Sequence, residues 1–361
     1  MLPPGSYRDE FRMIHSAIRP SIRAMAGYTP GEQLNDPAII KLNTNENPYP
    51  PSPRVLEAIQ AALLGDQLRK YPDPTGSAFR KAAGKVLGID PEAIVIGNGS
   101  DDILTILTRA FVPSGGQIAT LTPSYILYQT LADIQGATLR LVPFSQNWRP
   151  PSPWPYTDSH LTFLANPNSP SGTALDRETV RQLAGELAGP LVLDEAYADF
   201  ADWNGLELFA ELPNLIITRS FSKYYALAGI RFGFAIADPV VVRELVKVKD
   251  SYNCDRLSLV AATAAIEDQE YYSGIRSRVI ATRRRMIETL AQLGFQVTPS
   301  QANFVWCRRT DQPLKPIYEA LKARKILIRY MHYPDYGDGL RISVGTDAEI
   351  DQLFHELRAI L

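Results

Sequence analysis

Short apolar runs and longer stretches of helical periodicity alternate along the chain as far as residue 237. The apolar runs fall at 93–96, 118–121, 138–143, 161–166, 191–194, 215–218 and 232–237. The amphipathic stretches fall at 55–64, opened by Ser52-Pro53, and at 77–87, closed by Gly88, then at 103–111, 126–134 and 176–187. Runs of this length punctuated by Gly, Pro and Asn read as strands, and strands that alternate with helices predict an α/β unit with a mostly parallel sheet buried on both faces. The expectation is a seven-stranded sheet sandwiched by helices. From residue 240 the pattern turns helical, at 240–249, 257–267 and 271–293. It then mixes short strands (304–307, 340–344) with helices (314–323, 348–361), which predicts a smaller α+β domain. The expected organisation is a proline-punctuated arm over 1–50 that packs with the small domain, a large domain over 51–250, and a C-terminal domain over 251–361. The chain contains no internal repeat and no low-complexity tract.

Composition narrows the function. The chain has 361 residues, of which 45% are hydrophobic and 21% charged, enough for a sizeable core. A formal net charge of -2 leaves no electrostatic footprint for nucleic acid or an anionic membrane. Met1 to Ile14 lacks the apolar region of a signal peptide, and no run approaches a membrane span. Cys254 and Cys307 are far apart and form no disulfide framework, which predicts a reducing compartment and a cytoplasmic protein. Four histidines without zinc-like spacing argue against a histidine-driven hydrolase or a metalloenzyme.

The candidate chemistry gathers at predicted strand ends, where ligands sit in parallel sheets. The run 218–231 places Lys223 among the hydroxyls of Ser220 and Ser222, with Arg231 beyond a turn at Gly229. Hydroxyls and a guanidinium suit a phosphate, and a partly dehydrated lysine near a fixed cation can act as a nucleophilic amine. A Schiff base with a phosphorylated carbonyl cofactor, pyridoxal phosphate (PLP), would use both properties; a solvated surface loop is the plain alternative. Gly97-Asn98-Gly99-Ser100-Asp101 lies between a strand and a helix start and suits an anion. It lacks the third glycine of a dinucleotide fingerprint and the Walker lysine, and Ser100 or Asp101 could simply cap the helix.

Asp194 closes an apolar strand ahead of Glu195-Ala196-Tyr197. A carboxylate there needs a partner, and a pyridinium nitrogen would provide one. Tyr125 follows Thr122-Pro123-Ser124 and could stack on a planar ring or sit in the core. Asn166-Pro167-Asn168-Ser169-Pro170-Ser171-Gly172 is a stiff turn whose amides could hold a phenolic oxygen. Arg341, on an apolar strand, is a candidate carboxylate fork, and Arg329 lies nearby in sequence.

The order anion loop, aromatic, amide turn, strand-end aspartate, lysine, arginine resembles the fold type I PLP-dependent aminotransferases, within them the histidinol-phosphate aminotransferase family. The likeness runs over nearly the whole chain. It is carried also by Asn43-Thr44-Asn45-Glu46-Asn47-Pro48, Arg69-Lys70-Tyr71-Pro72-Asp73 and Leu340-Arg341-Ile342-Ser343-Val344-Gly345-Thr346. The resemblance implies Lys223 as the Schiff-base lysine, Asp194 as partner of the pyridine nitrogen, Tyr197 on the phenolic oxygen and Tyr125 stacked on the ring. It implies that Ser100, Asp101, Ser220, Ser222 and Arg231 hold the cofactor phosphate. Tyr71 would reach into a neighbouring subunit, hence a homodimer. Arg341 would grip the α-carboxylate of glutamate, with Arg329, Tyr28 and Asn45 as further substrate contacts. The family pattern has asparagine directly before a Pro-Thr-Gly turn; here Ser169 stands there and Asn168 precedes it, so either residue could take the phenolic oxygen. The implied reaction is amino transfer between L-histidinol phosphate and 2-oxoglutarate in histidine biosynthesis. An aromatic-amino-acid aminotransferase and a PLP-dependent decarboxylase of phosphorylated amino acids share most of these motifs; a non-catalytic binding module on the same fold is a further alternative, against which the intact Lys223 argues.

Overall fold

The computed structural model describes residues 16–27, 32, 36–64 and 66–361. Tyr28 lies outside the described residues. After a short strand β1 (Ile40–Lys41), the chain builds β2 (Ile94–Gly97), β3 (Gln117–Thr122), β4 (Thr138–Pro143), β5 (Leu161–Ala165), β6 (Leu191–Asp194), β7 (Leu215–Ser220) and β8 (Gly233–Ile236). These last seven form one sheet in the order β2-β8-β7-β6-β5-β3-β4. The seven predicted runs are the seven strands, with ends displaced by a residue or two. All residues of β5, β6 and β7 are buried, because helices cover both faces and the usual in/out alternation has no solvent side to serve. At the edge, β4 exposes Leu141 and ends in Pro143, which spares an open edge one donor.

β8 runs antiparallel to both its neighbours, while the others are mutually parallel. Its amino end therefore meets the carboxyl ends of β2 and β7: Gly233 pairs with Gly97 and with Ser220. This reversal carries Arg231, two residues ahead of β8, to the edge where the other strands finish. Gly233 is required there, since a Cβ would stand 2.6 Å from the Ser100 nitrogen and 2.8 Å from the Arg219 carbonyl oxygen.

The helices begin where capping chemistry places them. Ser52 accepts from the Arg54 amide ahead of Pro53–Leu63, Asp176 accepts from Thr179 ahead of Arg177–Glu186, and Thr346 and Glu349 form a capping box on Asp347–Ile360. Among the described residues, no helix is long and apolar enough to cross a membrane.

After the helices Pro239–Val248, Arg256–Glu267 and Gln269–Gln292 come β9 (Gln296–Val297), β10 (Phe304–Arg308), β11 (Ile326–Leu327), β12 (Arg329–Tyr333) and β13 (Gly337–Ser343). Four of these form an antiparallel sheet in the order β12-β13-β10-β9. β11 instead pairs in parallel with β1, which ties the arm to this second sheet. β12 was not among the predicted strands. Arg329-Tyr330-Met331-His332-Tyr333 has no apolar alternation because it is an edge strand whose side chains face a cavity.

Candidate active site

The carboxyl edge of the large sheet, the arm and β12–β13 enclose a cavity of about 630 Å³. Its wall includes Ser100, Asp101, Tyr125, Ser169, Asp194, Tyr197, Ser220, Ser222, Lys223, Arg231, Asn45, Arg329 and Arg341. Of the sequence candidates among the described residues, Asn168 and Tyr71 stand outside this wall.

On one side lies an anion cradle. Gly99 is the N-cap of Ser100–Phe111, and no side chain closes that cap, so neither Ser100 nor Asp101 is the cap. First-turn amides of a helix lack intrahelical partners, and here they open at the cavity. Arg231, in a left-handed conformation (φ 55°), donates through NH1 to the Ser222 hydroxyl at 3.2 Å and lies 3.5 Å from the Asp101 carboxylate. The Ser220 hydroxyl accepts from the Ser222 amide at 3.2 Å. Gly99 has φ 84°, and a Cβ there would meet the Arg231 guanidinium at 2.7 Å, so the loop and the arginine fit only without a side chain.

At the centre lies Asp194, buried at the end of β6. Tyr128 donates its hydroxyl to Oδ2 at 2.8 Å and Thr218 donates to Oδ1 at 3.2 Å. No Lys, Arg or His pairs with this carboxylate among the described residues, and burial raises its pKa above the usual carboxylate range despite these two donors. Glu195, one residue on, faces the other way, as successive side chains on a strand do. It pairs with buried Arg219 at 2.8 Å, which also holds Asp199 at 2.8 Å. Glu195 is thus a structural partner of Arg219, away from the cavity.

Lys223 projects from the turn after β7 and donates through Nζ to the Thr44 carbonyl at 3.1 Å. Burial, assisted by Arg341 and Arg231 and opposed by Glu46 and Asp101, lowers its ammonium to about 8. Tyr197 accepts from the Asn45 amide at 3.0 Å, and its ring lies 5.9 Å from the Lys223 Nζ. Tyr125 donates to Asp101 at 3.1 Å. Arg341 donates to the Ser169 hydroxyl and to the Asn43 carbonyl, each at 3.0 Å.

The aminotransferase class I and II family matches residues 37–357. The chain belongs to this family. A histidinol-phosphate aminotransferase of Rhodopirellula baltica is 52% identical over 336 residues, covering 92% of this chain and 92% of that protein. A protein of the same name from Citrifermentans bemidjiense is 46% identical over 345 residues, covering 95% and 98%. Among solved structures, histidinol-phosphate aminotransferase from Sinorhizobium meliloti in complex with pyridoxal-5'-phosphate superposes with a TM-score of 0.86 at 28% identity, covering 96% of this chain and 99% of that one.

The aminotransferase cavity fits a phosphorylated pyridine aldehyde on its own geometry. It offers an open helix start with Arg231 and two serines for a phosphate, a buried carboxylate lacking a cation for a ring N–H, and an amine of lowered proton affinity.

The turn at 166–172 separates the two residues that the sequence left open. The Asn168 amide is consumed within the fold: its oxygen accepts from Ser124 at 2.9 Å, and its nitrogen donates to the Pro123 carbonyl at 3.2 Å and to Ser171 at 2.9 Å. Ser169 is the one that faces the cavity. Asn45 is likewise committed, to Ser343, Asn303 and Tyr197, so it positions Tyr197. Tyr71 is exposed and stacks on Tyr252 at 4.3 Å, outside this chain's own cavity.

Two site residues escaped the sequence reading. Tyr128 lies within the predicted helical stretch 126–134 and is not singled out there; it is on the helix Leu127–Gln135, with Tyr125 one residue ahead of that helix's N-cap and the two ring centroids 5.7 Å apart. Thr218 looked like an ordinary strand residue, but it is in register with Asp194 on the neighbouring strand.

Proposed function

We propose that this chain is a PLP-dependent aminotransferase that moves the amino group of L-histidinol phosphate to 2-oxoglutarate, giving glutamate, as a step of histidine biosynthesis. The observation that carries this is the convergence of Lys223, Asp194 and the Arg231–Ser222 cradle on a single cavity whose far wall bears Arg341 and Arg329. The relatives' names support the choice of substrates.

When bound, PLP supplies an electron sink, its protonated ring accepting the electron pair left at the substrate carbon. Lys223 anchors the cofactor through its amine. Arg231, Ser220, Ser222 and the amides of Ser100 and Asp101 neutralise the phosphate. Asp194 keeps a proton on the ring nitrogen, and its two hydroxyl donors hold it as a fixed acceptor without competing positive charge. Tyr125 covers the ring, and Tyr197 and Ser169 reach the phenolic oxygen. When not bonded to the cofactor, Lys223 would be partly neutral at physiological pH, so its Nζ could take the proton from the substrate α-carbon and pass it to the carbon on the far side of the amino nitrogen. Arg341 receives the α-carboxylate of glutamate, and Arg329 adds a second cation for the phosphate of the amino alcohol. Both substrates thus present an anion to the same wall.

Tyr71, exposed beside Tyr252, is assigned to a second copy's site, which makes the working form a homodimer. The proposed setting is the cytoplasm, and the proposed units are the arm (1–50), a cofactor domain (51–250) and a C-terminal domain (251–361), with the β1–β11 pair as the arm's anchor.

Borohydride reduction of the PLP-loaded protein followed by peptide mapping tests the anchor: a pyridoxyl group on Lys223 is expected, and one elsewhere overturns the reading. Turnover of histidinol phosphate should exceed that of phenylalanine. The reverse order indicates an aromatic aminotransferase, and release of CO₂ indicates a decarboxylase.

A further inference from the structure

Lys223 is held at both ends by the same stretch of the arm. Its Nζ donates to the Thr44 carbonyl. Its own carbonyl, and that of Tyr224, each accept from Nδ2 of Asn47 at 3.0 Å. Residues 223–226 form a turn and not a helix, and among the described residues the one backbone donor to the Lys223 carbonyl is the Ala226 amide at 3.4 Å, with Ala226 at φ 55°. Carbonyls in such a turn need a side-chain partner or water, and Asn47 serves two of them with one amide nitrogen. Its oxygen accepts from the Tyr49 amide at 3.0 Å, so every polar atom of the side chain is committed. Upstream, the arm is fastened to the small sheet: Arg341 donates to the Asn43 carbonyl, Asn303 donates to the Asn45 carbonyl, and Ser343 accepts from the Asn45 amide.

We propose that Asn47 is a positioning residue for Lys223: its amide fixes the backbone from which the reactive amine projects, and joins that backbone to the arm segment docked on the carboxylate-binding sheet. This rests on the role given to Lys223 above. Asn47 touches neither substrate nor cofactor in this assignment. It acts by setting where the Lys223 Nζ stands relative to the groups that face it: Arg341 on β13, Glu46 and the Thr44 carbonyl on the arm, Arg231 ahead of β8, Asp101 on the helix Ser100–Phe111, and the Tyr197 ring. Displacing a reacting group by about 1 Å can cost on the order of a hundredfold in rate, so a joint of this kind affects turnover more than binding.

The test uses the full chain with Asn47→Asp and Asn47→Ala. The aspartate variant keeps the acceptor for Tyr49 and nearly the same shape, and loses both donors, so it is informative even if the alanine variant does not fold. In the PLP-free protein, competitive acetylation across pH with mass-spectrometric readout gives the midpoint of Lys223 itself. In the PLP-loaded protein, kcat and KM for glutamate are measured separately. The expected result for both variants is a kcat lowered on the order of tenfold or more with a KM for glutamate within about twofold of wild type, and for the charge-neutral Asn47→Ala a shifted Lys223 midpoint, which the carboxylate added in Asn47→Asp would shift by its charge alone. A variant that melts earlier but keeps the wild-type kcat, with Asn47→Ala also keeping the wild-type Lys223 midpoint, overturns the proposal and leaves Asn47 a structural joint. The acetylation needs no cofactor, and the borohydride label on the wild type reports on the anchor alone, so failure of this proposal and failure of the assigned function are read in different experiments.

Discussion

Tyr128 donates its hydroxyl to Oδ2 of Asp194 at 2.8 Å, from a helix on one face of the sheet to the carboxylate that ends its central strand. Tyr128 is itself fully buried, stacked on Phe163 with ring centroids 4.7 Å apart, so the donor cannot swing away. A buried carboxylate held by neutral donors alone, the Tyr128 and Thr218 hydroxyls and the Ala196 amide, is fixed in place yet has no cation beside it among the described residues, which is the condition for holding a ring proton. Tyr128→Phe conserves the packing and removes one donor. Losing a hydrogen bond to a charged group costs about 1.5–3 kcal/mol. The expected result is weaker PLP retention and a fall in kcat of at least tenfold, measured by fluorescence titration with PLP and by steady-state kinetics.

The proton affinity of Lys223 predicts a pH-dependent stability. Its ammonium is lowered to about 8 from 10.5, so folding releases a proton between those values. Below about pH 8 the folded chain carries a charged amine that burial disfavours, and this destabilises the PLP-free protein. The penalty fades as pH rises from about 8 to 10.5. Lys223→Met should therefore raise the melting temperature of the PLP-free protein at pH 7, by about 2–4 °C, and by less at pH 10. It should abolish transamination.

Arg219 lies between Glu195 and Asp199 at 2.8 Å each, behind the site. Burial pushes the Glu195 carboxyl up to about 7 even with this cation beside it. Arg219→Met strands both carboxylates. A destabilisation of about 3–5 kcal/mol is expected, read from urea unfolding of the PLP-free protein.

Ser169 and Asn168 should separate by readout. Ser169→Ala removes the acceptor that holds Arg341 at 3.0 Å. A net loss of about 1 kcal/mol in preorganisation gives a several-fold rise in KM for glutamate, with little change in stability. Asn168→Ala removes one bond inside the turn, to Ser171, and two that join the turn to Pro123 and Ser124, and should lower unfolding stability by about 1–3 kcal/mol.

Much of this site was legible because a parallel sheet delivers chemistry at strand ends. Once the runs ending near Gly97, Thr122, Ala165, Asp194 and Ser220 read as strands, the residues after them had to lie along one edge. Tyr125, Asp194 and Lys223 stood out on that ground, while Tyr197 entered through the family resemblance. β12 was not legible, since its cavity-facing side chains break the alternation that marks a strand. The choice between Asn168 and Ser169 was not legible either, because two adjacent polar residues in a turn differ in direction and not in chemistry.

The sequence by itself determined the seven strands, the strand-end candidates and the family pattern, because hydrophobic periodicity and turn chemistry are local properties. Only the tertiary structure decided what each polar group is bonded to. Strand β8 had to be seen reversed before Arg231 met Ser222. The arm had to be seen docked before Thr44 and Asn47 met Lys223, 179 and 176 residues away. Register between β6 and β7 had to be known before Thr218 faced Asp194. Hydrogen bonds have direction and reach only about 3 Å, so partners distant in sequence are chosen by packing.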